Sequence, residues 1–382
     1  MRHSGGVTHT VGSVEVESLE QFDRLRSRSR SMAGWFVQDL DLRDRSEALL
    51  TAKPQGALFL GCQMARAVED SLRDRGALLF PGLVGLPFDP YRARLYTAAE
   101  LYGDVAGGGA YTDSPDARSN AWRLAQGTPP AVGATLAMSL HDHSIGDALM
   151  DAVDRIDRAH VVGVMGGHEV VRGSRTYEDA AKLGLALTRA GMTVFTGGGP
   201  GAMEAVNLGA RMAAAPDELE DVLATLAVVP TFRPSVDAWA RVALEVCERY
   251  PEGGGYGVPT WFYGHEPPNV FASAIAKYFS NALREDTLLQ LCGGGVLYLP
   301  GAAGTIQEIF QAATPAFYAP EGTRIPPLVL VGRDYWTEIL PAWPLLTALS
   351  VGRRMATAIH CVDTWADALD VLALPPSVTA RE

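Results

Sequence analysis

Lysine is nearly absent from this chain of 382 residues: only Lys53, Lys182 and Lys277 occur, and arginine supplies the rest of the positive side-chain charge. Chemistry through a lysine Schiff base has few candidates, and none of the three lysines sits beside a plausible phosphate turn, which argues against a pyridoxal phosphate enzyme. Cysteine is as scarce. Cys62, Cys247, Cys292 and Cys361 stand far apart, with no C-x-x-C pair and no histidine at zinc-ligand spacing, so they read as buried thiols and no metal is expected. No apolar run approaches the roughly 20 residues that span a bilayer, and residues 1–12 lack the apolar stretch of a secretory signal. The expectation is a soluble, cytosolic protein with no membrane partner. A net charge of −12 argues against a nucleic-acid partner, because phosphate-backbone binding rests on clustered Lys and Arg. A small anion stays compatible, since helix N-termini and one or two arginines make a pocket locally positive.

What the chain does have is alternation. Residues 1–11 are expected to be disordered, and 24–31 are Arg- and Ser-rich; helical spacing shows at 46–52, and the first fifty residues hold no strong strand. Strand, helix and strand follow at 57–60, 64–75 and 77–80, one βαβ-like unit. A Pro-, Gly-, Tyr- and Asp-rich stretch from 81 to 130 suits loops and short helices. After a helical pattern at 134–159, strands at 160–165, 192–196, 225–229, 296–299 and 328–331 alternate with helices at 177–190, 202–214, 270–291, after Gly304, 336–348 and 365–372. Such spacing implies a parallel sheet covered on both faces. The expected fold class is α/β: a Rossmann-like doubly wound parallel sheet over 151–382, with an appended N-terminal accessory α/β unit over 1–150.

Three predicted strands end in glycine turns: Gly166-Gly167 after Met165, Gly197-Gly198-Gly199-Pro200-Gly201 after Thr196, and Pro300-Gly301-Ala302-Ala303-Gly304-Thr305. At the carboxyl edge of a parallel sheet, small residues let backbone N–H groups approach an anion. No turn is a Walker A loop, and no G-x-G-x-x-G follows the first strand with an acidic residue about twenty further on, so a dinucleotide oxidoreductase is a weak candidate. Thr305 and Glu308 also have the T-x-x-E spacing of a capping box. Met203 and Glu204 open the helix after the four-glycine turn, where Glu204 either meets a ligand or complements its helix's positive end. Ser174 and Thr176 precede the 177–190 helix, at positions where a hydroxyl commonly caps. In the proline-stiffened run 259–269, Trp261 and Phe262 are expected in the core, while His265 and Glu266 are candidates for recognising a base. His141-Asp142-His143 suggests helix capping or an interface more than a metal site.

These residues together resemble the LOG ("lonely guy") family, often mislabelled lysine decarboxylases. Its hallmark P-G-G-x-G-T-x-x-E stands here as Pro300-Gly301-Ala302-Ala303-Gly304-Thr305-Ile306-Gln307-Glu308, with alanine for the second glycine. Arg284, 24 residues before Glu308, matches the family's arginine on the preceding helix. The resemblance covers residues 161–372, a little over half of the chain. It implies hydrolysis of the N-glycosidic bond of a nucleoside 5′-monophosphate to free base and ribose 5-phosphate, without a cofactor. Glu308 and Arg284 would be the catalytic residues, the glycine turns the phosphate and ribose cradle, and a homodimer or higher homo-oligomer the assembly. Length and the added N-terminal domain look like the longer bacterial relatives that act on ordinary monophosphates. The alternative is a non-catalytic nucleotide sensor using the same turns, a reading kept open by the methyl of Ala302.

Overall fold

A computed structural model describes residues 14–262 and 266–372, so the disorder expected at 1–11 lies outside the described residues. The chain divides into two compact units, Met1–Arg94 and Leu95–Glu382. In the first, strands β1 (Val14–Val16), β2 (Trp35–Gln38), β3 (Leu58–Leu60) and β4 (Leu78–Phe80) pair in sequence order, all parallel. Helices Leu19–Arg28, Ser46–Leu50 and Arg66–Asp74 connect them. Phe22, Trp35, Val37, Phe59 and Leu72 make its core. The sequence shows no strong strand in the first fifty residues, yet β1 and β2 lie there. They are three and four residues long, too short for alternation to stand out.

The second unit holds β5 (Val161–Met165), β6 (Thr193–Thr196), β7 (Tyr256–Gly257), β8 (Ala274–Ile275), β9 (Gly295–Tyr298), β10 (Leu328–Val331) and β11 (Ile359–Val362). They form a seven-stranded sheet in the order β11-β10-β9-β5-β6-β7-β8, parallel throughout. This is the Rossmann-like doubly wound fold. Every residue of β5, β9 and β10 is buried, as covering on both faces demands. The chain runs from β5 outward through β6, β7 and β8, then returns to lay β9 against the other side of β5. That reversal opens a crevice at the carboxyl ends of β5 and β9, the place where open α/β sheets bind ligands.

The sequence puts the boundary near residue 150; the contacts put it at Arg94 because residues 95–153 pack on the larger sheet. Tyr96 pairs antiparallel with Ile275 of β8, its N–H and carbonyl each bonded across the edge at 2.9 and 2.8 Å. Asp116 is fully buried, accepting from Lys277 Nζ at 2.6 Å and Trp261 Nε1 at 2.8 Å. Asp142, on the helix Val132–Val153, accepts from the N–H groups of Phe279 and Ser280 at 2.8 and 2.7 Å. These buried polar bonds need partners far along the chain, and sequence spacing carries no record of them.

Three further expectations change. The strand expected at 225–229 is the end of the helix Leu219–Ala227, where Leu219, Val222, Leu223 and Leu226 are buried at helical spacing. The helix expected over 270–291 shrinks to Asn281–Leu291, because 274–275 is edge strand β8. The helix expected at 336–348 splits into a π turn at Tyr335–Ile339 and the helix Ala342–Ser350, separated by Pro341. Strand β11 carried no turn signal and went unassigned in sequence. The cysteines are unpaired; Cys292 and Cys361 are buried, and Cys62 and Cys247 half-buried. No helix among the described residues is long and apolar enough to cross a membrane.

Helices Arg175–Arg189 and Ala202–Arg211 touch backbone to backbone. A Cβ on Gly184 would lie 2.0 Å from the Val206 carbonyl oxygen, and one on Gly209 would lie 1.8 Å from that of Ala181. This contact fixes the axis of the helix that opens at Gly201. Gly209→Ala is expected to lower folding stability by more than about 2 kcal/mol through overpacking. Gly133→Ala, whose methyl meets open space on the helix Val132–Val153, is expected to leave it unchanged or raise it by up to about 1 kcal/mol. Denaturant melts of the two variants check the contrast.

Candidate functional site

The three glycine turns meet at the crevice between β5 and β9 and are joined through backbone groups. Leu299 donates its N–H to the Met165 carbonyl at 2.9 Å, Gly167 to that of Pro300 at 2.9 Å, and Ala202 to that of Gly167 at 3.0 Å. Gly201 has φ +75°, and a Cβ there would lie 2.5 Å from the Gly167 carbonyl oxygen, so both conformation and space require glycine. A second set of bonds holds the four-glycine turn. Thr196 Oγ1 donates to Asn207 Oδ1 at 2.7 Å and accepts from Gly198 N–H at 3.0 Å, while Asn269 N–H donates to the Gly198 carbonyl at 2.8 Å.

Together these turns wall a cavity of about 330 Å³. Gly166, Gly167, Gly197 and Gly199 line it with Met203, and Ala302, Ala303, Gly304 and Thr305 face it from the helix Ala303–Phe317. Arg284 and Glu308 sit in its wall, as does Glu266. Gly198, Gly201 and Gly301 shape the turns without lining the cavity. His265 lies outside the described residues.

Two candidates stand elsewhere. Glu204 is 1% exposed and held by Arg172, whose Nε and Nη2 both donate to Oε1, the former at 2.8 Å. Burial pushes the Glu204 carboxyl up and Arg172 pulls it down. The Arg172 guanidinium also lies over the Trp239 ring, 4.6 Å from its centroid. Ser174 caps the helix Arg175–Arg189, accepting from Tyr177 N–H at 3.3 Å.

The helix Ala303–Phe317 begins at Ala302 and has no side-chain cap. The capping box suggested by Thr305 and Glu308 does not form, because Thr305 is already the third helical residue and the Glu308 side chain turns to Arg284. The amides of Ala303, Gly304 and Thr305 therefore have no partner within the helix, and the three residues line the cavity. Donors of this kind at a helix's positive end attract anions. Ala302 has φ −102°, so the backbone demands no glycine where the resemblance has one.

Arg284 and Glu308 form a buried pair, Nη1 to Oε1 at 2.7 Å, with side chains 9% and 8% exposed. Burial pushes the Glu308 carboxyl above its ordinary range, and Arg284 opposes that. Arg284 Nε and Nη2 also donate to Asn281 Oδ1 at 3.2 and 2.9 Å. Glu285, 1% exposed, accepts from Asn281 Nδ2 at 2.6 Å and Gln307 Nε2 at 2.7 Å, binding the arginine's helix to that of Glu308. Asp142 holds the other end: its carboxylate accepts from the N–H groups of Phe279 and Ser280, just before the helix Asn281–Leu291, which itself has no side-chain cap. Gly197 backs the pair closely, since a Cβ there would lie 3.6 Å from Arg284 Nη1 and 3.9 Å from Glu308 Oε1.

Residues 159–215 match the SLOG cluster4 family. That segment spans β5, β6 and their helices, with two of the three glycine turns. The match supports kinship with the SLOG grouping over these residues and does not reach the narrower LOG family. No curated protein matches the chain. A similar solved structure is the molybdenum cofactor binding protein from the phototrophic bacterium Rippkaea orientalis, 15% identical, covering 55% of this chain and 93% of that one with a TM-score of 0.35.

Sequence reasoning passed over His168, Pro259, Thr260 and Gln307, which also line the cavity, and the positioning residues Asn281 and Glu285. His168 directly follows Gly167, and its place at a strand's carboxyl end was the available signal. Trp261 is core as expected, stacked on Phe279 at 4.5 Å. Phe262 is not: it is 49% exposed, with Arg123 over its ring.

Removing one partner of a buried pair strands the other charge. Arg284→Met is expected to cost about 3–5 kcal/mol of stability, and adding Glu308→Gln to recover a large part of it. Gly201→Ala should cost more than about 2 kcal/mol, and Ala302→Gly less than about 1 kcal/mol. Chemical denaturation of the four proteins measures each difference.

Proposed function

We propose that this cavity binds a nucleoside 5′-monophosphate and hydrolyses its N-glycosidic bond, releasing free base and ribose 5-phosphate. The observation that carries this reading is the juxtaposition of a buried Arg284–Glu308 pair with an uncapped helix N-terminus in one cavity. The amides of Ala303, Gly304 and Thr305 supply a phosphate site without a lysine, which suits a lysine-poor chain. The SLOG match over 159–215 supports a nucleotide-related ligand.

Cleavage builds positive charge on the ribose as the base departs. A carboxylate in a water-poor site stabilises that charge more strongly than one in bulk solvent. Glu308 Oε1 is held by Arg284, which leaves Oε2 for the ribose hydroxyls or the attacking water. Arg284 fixes the carboxylate's direction and opposes the upward push that burial gives its pKa. A pure phosphate sensor would need the uncapped amides alone; the buried acid–arginine pair beside them favours turnover.

Purified protein incubated with a panel of nucleoside monophosphates should release free base and ribose 5-phosphate. Glu308→Gln is expected to lower kcat by at least about 100-fold while nucleotide binding stays measurable by calorimetry. Tight binding with no base released from any nucleotide would establish the sensor instead, and unaltered turnover by Glu308→Gln would remove that residue from the chemistry. Sedimentation of the full chain tests the self-association that the family resemblance implies.

A further inference from the structure

Departure of a neutral purine asks for a second group. The C1′–N9 electron pair passes to the base, which leaves as an anion unless a proton arrives with it. The Arg284–Glu308 pair acts at the sugar and offers no donor for the base. Resting on the hydrolase reading above, we propose that His168 is the proton donor to the departing base and that Glu266 positions it.

The geometry behind this is local. Among the described residues lining the cavity, His168 is the only imidazole, a ring that can donate a proton through one nitrogen while the other faces a carboxylate. Its Nδ1 lies 3.4 Å from Glu266 Oε1, an ion-pair contact between two partly exposed side chains, and turning the ring is the task proposed for Glu266. Nε2 has beside it Glu169, a side chain 82% exposed and 3.9 Å away, beyond hydrogen-bond length, so this nitrogen is available to a ligand. The His168 side chain is 37% exposed and can recover a proton from solvent.

Met203 touches the glycine turn beside both groups. A Cβ on Gly197 would lie 2.9 Å from Met203 Sδ and beside Arg284 and Glu308, whereas one on Gly199 would lie 2.9 Å from Met203 Cε and 3.5 Å from Glu266 Oε2. In the proposed step the sugar lies by Arg284 and Glu308 and the base by His168 and Glu266, all residues of the one cavity wall. In the step, C1′–N9 breaks and its electrons go to the base, N7 takes the proton from His168 Nε2, and water forms the new C1′–O bond. The water's proton passes to Glu308 Oε2 and then to solvent, and the imidazole is reprotonated from solvent.

A leaving group that needs no proton separates this role from a structural one. The comparison uses the purine monophosphate turned over fastest and 4-nitrophenyl ribofuranoside 5′-phosphate, whose nitrophenolate departs unassisted. His168→Gln should lose at least about 100-fold in kcat on the purine nucleotide and less than about 10-fold on the nitrophenyl substrate. Glu266→Gln should show the same selectivity with a smaller loss, and stands in should His168→Gln fail to fold by thermal melting. Losses on the two substrates within about 10-fold of each other, or purine turnover at the wild-type rate, would overturn the assignment while leaving the hydrolase intact. A wild-type protein that cleaves neither substrate would overturn the hydrolase reading, and the proton donor with it.

Discussion

The backbone of Gly167 ties the site together. Its N–H donates to Pro300 and its carbonyl accepts from Ala202, so a single residue at the end of β5 fixes the other two glycine turns. Both bonds lie where a side chain would intrude: a Cβ on Gly167 would meet the Pro300 oxygen at 3.0 Å, and one on Gly201 would meet the Gly167 oxygen at 2.5 Å. The cavity depends on this constraint, because its walls are turns and turns are rigid only where their backbone groups are bonded. The same bonds commit the Gly167 amide to Pro300. The amides at the head of the helix Ala303–Phe317 carry no such commitment within their helix.

A polar lattice beneath the turns performs the matching task for the side chains. Arg284 is directed by Asn281 and Glu308, Glu285 links Asn281 to Gln307, and Asp142 accepts from the Ser280 N–H just before Arg284's helix. Buried charges of this kind cost desolvation and hold only while their bonds are complete. Together these bonds fix the Arg284–Glu308 geometry, which is what a preorganised site requires. Lysine has little part in it. Lys277 is buried under Trp261 and bonded to Asp116, and its burial lowers the ammonium's tendency to stay charged.

The sequence displayed the larger regularities through local physics. Strands β5, β6, β9 and β10 are apolar runs, the first three closed by glycine turns, and the intervening helices carry apolar residues at helical period, so parallel α/β architecture was legible. The cavity-lining glycines and Thr305 were legible because strand ends in such sheets are where small residues gather, whereas Arg284 on its helix stood out only through the resemblance to the LOG family, which also gave Glu308 its partner. Strands β7 and β8 were not: two residues each, they exist because Phe195–Tyr256 and Gly257–Ile275 pairings extend an existing sheet edge. The helix Leu219–Ala227 was hidden by the β-branched pair Val228-Val229 at its end, a local propensity outweighed by four buried residues at helical spacing.

By itself the sequence determined the fold class, the three turns and the chemical types available at them. Tertiary structure decided which groups meet. Thr305 and Glu308 matched a capping box by spacing, yet Arg284 captures the glutamate, since a buried carboxylate gains more from a guanidinium than from one backbone amide. Glu204 matched a ligand contact by position, yet Arg172 encloses it. His168 carried no motif, and only the approach of Glu266 from 98 residues further along gives its ring a direction. Such pairings join residues far apart in the chain, and their energies depend on burial and distance, quantities that come into being only when the sheet has closed over them.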